Sequence, residues 1–193
     1  TFIFFSSFSQ VVWANANNNK SELIVEAEES LEWFEKEKYY LARGNVILKK
    51  DGVTLRANIV KADYIFKNGE NILKKIMAKE KVILTKENTQ ATGQKMTYDL
   101  EDKIAKITGS FQTFSSPSGY VESKKYIIFN DLKNKAEAEG DVKIILSNKT
   151  IIHADYVKAN FKPKNKSLKN AVAKGNVIVE NKAKSRKSKA DVG

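Results

Sequence analysis

The chain has 193 residues and a formal net charge of +11, from 34 Lys and Arg against 23 Asp and Glu, with no cysteine and one histidine. This leaves no material for disulfides, thiol nucleophiles or Cys-centred metal sites, and almost none for His-centred ones. Hydrophobic residues make up 41% of the chain, enough for a core but not for a bundle of membrane spans.

Residues 1–16, TFIFFSSFSQVVWANA, are uncharged and end in Ala14-Asn15-Ala16, followed at once by the polar run NNNKSE. This reads as the apolar core and cleavage site of a secretory signal peptide, partial and cleaved. A membrane anchor is the alternative, although the stretch is short against the roughly 20 residues a span requires. The leader is excluded from the expected fold, which covers residues 17–180.

From residue 23 onward the apolar residues recur with period two, the signature of strands with one apolar face. A small-small-Gly-large pattern appears in ARGNVIL (42–48) and returns in AEAEGDVKI (136–144) and AVAKGNVIV (171–179). Weaker copies lie at 76–84 and 105–111, where Glu80-Lys81 and TGSFQTF depart from the pattern. The large residue after the glycine position falls at Val46, Val82, Phe111, Val142 and Val177. A repeat of this kind implies a fold built by stacking one unit.

Each copy is followed by a companion strand ending in an aromatic: 53–66, 89–100, 119–129 and 150–161, with 23–34 as a leading example. One spacing recurs in them: Glu26 to Trp33, Ala57 to Tyr64, Ala91 to Tyr98, Glu122 to Phe129 and Ala154 to Phe161. Seven is odd, so a flat strand would place the two ends on opposite faces. A strand that keeps both inside must bend or bulge. Bent strands, or pairs of short strands meeting at a corner, are therefore expected. The small-to-large gradient along each first strand points to a tapered sandwich or open barrel. With only Pro117 and Pro163, and no linker rich in Pro, Gly or Ser, one elongated all-β domain is expected.

Catalytic signatures are scarce. His153 alternates with Ile152 and Ala154, which places it on the outer face. No phosphate-cradling glycine loop and no nucleophile elbow occur. Glu28-Glu29 and Glu101-Asp102 lie in polar stretches and read as solvated acids. Asp63 and Asp155 repeat in matching ADY triplets, which points to a structural position. No enzyme, cofactor or metal site is expected. The lysines lie at outward strand positions and in the tail 181–193, which reads as basic and flexible. An anionic partner, either phosphate-bearing lipid or nucleic acid, fits that charge. Nucleic-acid binding would want exposed aromatics among the basic residues. Here Trp33, Tyr64, Tyr98, Phe129 and Phe161 follow the apolar face, and no nucleic acid is expected.

The motifs ARGNVIL, AEGDVKI and AKGNVIV, with ADY at 62–64 and 154–156, resemble the OstA-like family of lipopolysaccharide transport proteins, most closely its soluble periplasmic member. The resemblance covers about residues 22–180. It implies an all-β, OstA-like β-jelly roll of bent antiparallel strands, opened into an elongated V-shaped groove. It further implies that lipopolysaccharide is bound by its lipid A acyl chains, and that copies stack head to tail between inner-membrane and outer-membrane transport components in the periplasm. The expected groove residues are the period-two apolar set: Val46, Leu48, Leu55, Val82, Leu84, Met96, Tyr98, Phe111, Val142, Ile144, Ile152, Val177 and Val179. A membrane-anchored or translocon-associated family member, and a basic β-repeat protein binding nucleic acid or acidic polymer, are the alternatives.

Overall fold

The computed structural model describes residues 9–13, 23–164, 166–181 and 186–192. The Ala14-Asn15-Ala16 cleavage pattern and most of the expected leader lie outside the described residues. The strands are β1 (Ser9–Trp13), β2 (Leu23–Ala27), β3 (Ser30–Phe34), β4 (Tyr39–Lys50), β5 (Val53–Lys67), β6 (Glu70–Lys86), β7 (Thr89–Asp99), β8 (Ile104–Thr108), β9 (Gln112–Ser116), β10 (Gly119–Ser123), β11 (Tyr126–Asn130), β12 (Lys135–Leu146), β13 (Thr150–Phe161), β14 (Leu168–Asn181) and β15 (Arg186–Val192). All pair antiparallel in one 15-stranded sheet.

That sheet is folded over on itself. The long strands β4, β5, β6, β7, β12, β13 and β14 each run through two leaves. In the upper leaf, the C-terminal half of β4 meets β2, the N-terminal half of β7 meets β9, and β10 meets the C-terminal half of β12. In the lower leaf, the N-terminal half of β4 meets β3, and β8 and β11 run between β7 and β12. This is the all-β, bent-strand jelly-roll architecture expected from the sequence.

The fold line lies where the repeat has its glycine. Gly44-Asn45, Glu80-Lys81, Gly140-Asp141 and Gly175-Asn176 all have left-handed backbone, with φ of 78° and 41° in the first pair. The strand register slips at each of these places. Between β4 and β5, two residues on the first strand oppose a single residue, Asn58, on its companion. Such a bulge bends the strand and shifts the companion's side-chain phase by one. The odd spacing is thereby resolved: Ala57, Val60 and Tyr64 are all buried. Glycine suits the first corner position because left-handed backbone costs other residues about 1–2 kcal/mol. It is needed for space as well: a Cβ on Gly44 would strike the side chain of Glu29, and one on Gly175 that of Asp155.

The corners are clamped from outside by the residue after the small position of the preceding companion. Asn45 Nδ2 donates to Glu28 (2.6 Å), Asn58 Nδ2 to Glu80 (3.2 Å), and Gln94 Nε2 to Ser110 Oγ (3.1 Å). Lys124 Nζ donates to Asp141 (2.6 Å) and Asn176 Nδ2 to Asp155 (2.9 Å). Asp155 is thus a corner clamp. Asp63, by contrast, lies in the lower leaf and pairs with Lys61 (2.8 Å). The two ADY triplets are not equivalent places.

Two terminal segments also join the sheet. Ser9–Trp13, inside the stretch read as a leader, pairs with β2. Arg186–Val192, inside the stretch read as a flexible tail, pairs with β14.

Candidate ligand groove

The inward faces of the two leaves carry the apolar residues in rows that cross the strands. In the lower leaf the row next to the fold line is fixed by register: Leu31, Ala42, Val60, Ala78, Met96, Ile107, Ile127, Ala138, Val157, Ala173. In the upper leaf the corresponding row follows from the neighbouring pairs: Val46, Ala57, Val82, Gly93, Gln112, Ser123, Val142, Ala154, Val177. Small and large residues alternate along the upper row, and along the lower row except at Met96, Ile107 and Ile127, three large residues in succession. On a single strand the sizes are opposed, so β4 carries Val46 above Ala42 and β5 carries Ala57 above Val60. The large residues of one leaf thus face the small residues of the other, the interdigitation expected of a packed interior. It is also the physical meaning of the small-to-large gradient in the repeat.

Burial is tightest beside the fold line and eases away from it. Val46, Val82 and Val142 are at most 1% exposed. Two positions further along, Leu48 stays buried, while Leu84, Ile144 and Val179 are half-buried and still packed against the core. Tyr98, Phe114, Phe129, Val121 and Ile152 occupy the same intermediate zone. The core divides into two clusters, one on β2–β8 and one on β11–β14. Phe114 and Phe129 pack against both, with ring centroids 4.9 Å apart.

Of the thirteen groove residues expected from the sequence, Val46, Leu48, Leu55, Val82, Met96, Val142 and Val177 are buried on the inward face. Leu84, Tyr98, Ile144, Ile152 and Val179 line it half-buried. Phe111 does not belong to this set: it is 48% exposed. The third corner holds three residues, Gly109, Ser110 and Phe111, between β8 and β9, and this extra residue turns Phe111 outward. Gln112 takes the interior place instead, fully buried. Ser123, not Glu122, and Gly93, not Ala91, hold in their strands the place that Ala57 holds in β5. Counting the corner as three residues in TGSFQTF would have found Gln112; its polarity hid it from an apolar-pattern search.

The outer surface carries ion pairs beside exposed apolar side chains such as Trp33 and Phe66. Lys49 pairs with Glu26 (3.1 Å), Lys143 with Glu122 (3.2 Å) and Lys158 with Glu137 (3.1 Å). A polar cleft of about 350 Å³ lies on the ridge of the fold line, bordered by Arg43, Asn58, Glu80 and Lys81. Burial pushes the Tyr40 and Tyr98 phenols up; other perturbed titrations sit in turns and surface pairs. Asp99 is held below the usual carboxylate range by the backbone N–H groups of Asp102 and Glu101. The Tyr126 phenol is pushed up to about 12 by its hydrogen bond to Glu139. Glu139 in turn is held low by Lys125 and Tyr126. No group of three or more His, Cys, Asp or Glu that could hold a metal ion occurs among the described residues. The feature that stands out chemically is therefore the apolar face between the leaves.

An antiparallel sheet bent over an apolar trough, with its polar chemistry on the outside, is the class of protein that these features define. Residues 25–128, more than half the chain, match the family described as LptA/(LptD N-terminal domain) LPS transport protein, and the chain belongs to that family. No curated protein matches it. Among solved structures, it is similar to LptH from Pseudomonas aeruginosa, described as the LptA-homologous periplasmic component of the conserved lipopolysaccharide transport device. The identity is 13% over 87% of this chain and 93% of that one, at a TM-score of 0.33.

Proposed function

We propose that this chain is a periplasmic lipopolysaccharide-binding transport protein that holds lipid A acyl chains between its two leaves. The observation that carries the reading is the zone of half-buried apolar side chains, Leu84, Tyr98, Phe114, Phe129, Ile144, Ile152 and Val179, along the inward face away from the fold line. A closed dry core would bury these groups. Left half-exposed, they gain from a chain laid against them, at about 0.8 kcal/mol per methylene buried. Membership of a lipopolysaccharide transport family supports the identity of that chain.

End-to-end stacking of copies between inner-membrane and outer-membrane transport components belongs to the same proposal. In the lower leaf, β3 pairs on one side with β4, and the first part of β14 pairs on one side with β13. Among the described residues, the other backbone edges of these segments have no strand partner, so each leaf end offers donors and acceptors to a further strand. A contact of this heterologous kind continues without closing.

Cleavage of the leader after Ala16 is part of this reading. A second reading within the family keeps the segment, and the pairing of Ser9–Trp13 with β2 favours it. Sequencing the mature N-terminus separates them: a start at Asn17 supports the cleaved form, and retention of residues 9–13 supports the other. The transport reading is tested by native mass spectrometry of protein purified from envelope extracts. Retained acyl lipid is the expected result. Lipid-free protein that also fails to take up added lipopolysaccharide would overturn it.

A further inference from the structure

Gln112 is a polar side chain at a place where the other four corners have valine. It is fully buried, and neither its Oε1 nor its Nε2 has a hydrogen-bond partner among the described residues. A buried amide left unpaired costs on the order of 1–3 kcal/mol, so an apolar residue here would stabilise the empty protein. Its neighbours do not relieve it. Gly93, on one side, has no side chain. Ser123, its cross-strand partner on the other, already directs its hydroxyl to the carbonyl oxygens of Tyr126 (2.9 Å) and Glu139 (2.6 Å).

The place is also the midpoint of the trough. Gln112 falls between the two apolar clusters, and Phe114, two residues along the same face of β9, bridges them with Phe129. Both rings are half-buried. By register Gln112 sits in the row beside the fold line, between the strands of the two clusters. A carboxamide presents one acceptor and two donors. Its complement is a group that both accepts and donates: a hydroxyl, or a secondary amide.

We infer that Gln112 is a specificity-determining residue of the groove, which selects acyl chains carrying a hydroxyl or amide group over plain hydrocarbon chains. This rests on the reading of the trough as an acyl-chain site. Most of the rest of the inward face is apolar, and the Ser123 hydroxyl is already spent on backbone carbonyls. A site that leaves a polar group unpaired against the wrong ligand discriminates more strongly than one that only adds an apolar contact.

The test uses the full chain, stripped of lipid, and its Gln112→Met variant, which keeps the side chain's length and removes its polarity. Gln112→Val, the residue of the other corners, is the second variant should the first not fold. The probes are octadecanoate, 3-hydroxy- and 12-hydroxyoctadecanoate, and N-methyloctadecanamide, each titrated by competition with a fluorescent fatty acid. Wild type is expected to favour at least one hydroxylated or amide probe over octadecanoate by about tenfold, a single good hydrogen-bonding pair. The variant is expected to bind octadecanoate within about twofold of wild type, to lose the preference, and to melt at a higher temperature when empty. Wild type that binds all probes alike overturns the inference and leaves the acyl-chain reading standing. A preference that survives in the variant overturns it too. Failure of every probe to bind either protein overturns the acyl-chain reading, and the inference with it.

Discussion

Glu80 and Lys81 show what a single residue decides at a corner. Both hold left-handed backbone, with φ of 63° and 53°, where the best copies of the repeat have Gly followed by Asn or Asp. The local geometry that their departure from the pattern puts in question is kept, at the expense of strain. Glu80→Gly is expected to raise the unfolding free energy in urea by about 1 kcal/mol, since relief of left-handed strain exceeds the loss of an exposed hydrogen bond to Asn58. A lower stability would show that the Glu80–Asn58 clamp outweighs the strain. A second residue-scale effect concerns pH. Glu139 is held low by Lys125 and by the Tyr126 hydroxyl. Its stabilising contribution is therefore present above the unfolded-state value of about 4.3 and lost as pH falls through the lower folded value. The Tyr126 phenol is raised to about 12. Its contribution is complete below the ordinary phenol value of about 10 and lost as pH rises from there toward the folded value. Tyr126→Phe should therefore flatten the alkaline limb of the stability curve and Glu139→Gln the acid limb, as read by denaturant midpoints across pH. Unchanged slopes would contradict the pairing.

At the scale of the element, the bend was legible and its hinge was not. The odd spacing from Ala57 to Tyr64 and from Ala154 to Phe161 required a phase break, and the register slips deliver it. The glycine that marks the hinge carried no sign in the sequence of a left-handed pair, because period-two reasoning treats every position as extended. Frame errors followed where the corner changed length. Phe111 reads as interior when the corner is counted as two residues, and lies outside because it has three. Ser123 and Gly93 were missed because they are small or polar members of a row recognised by its large apolar ones. Their packing has a measurable consequence. A Cβ on Gly93 would meet the methyl of Ile107, the large residue that fills the interior beneath it. Gly93→Ala is expected to destabilise the protein by about 1–3 kcal/mol through overpacking, and Gly93→Ala with Ile107→Val should recover part of that loss. Additive losses in the double variant would contradict the interlocked rows.

For the whole molecule, the sequence carried the class of fold, the inward face and its family, since the repeat fixes which face of each strand is apolar. It could not fix how far apart the leaves stand, because burial depends on contacts between residues distant in the chain. It also read Ser9–Trp13 and Arg186–Val192 by composition alone, where the structure pairs each with a neighbouring strand. The central claim is that lipid lies between the leaves and not on the charged exterior. Photo-crosslinking residues placed singly in the living cell test it most directly. Leu84 and Ile144 lie in the half-buried inward zone, while Lys49 pairs with Glu26 outside and Phe111 projects from its corner. Lipopolysaccharide captured at positions 84 and 144, and absent at 49 and 111, is the result predicted; equal capture at all four positions would contradict it.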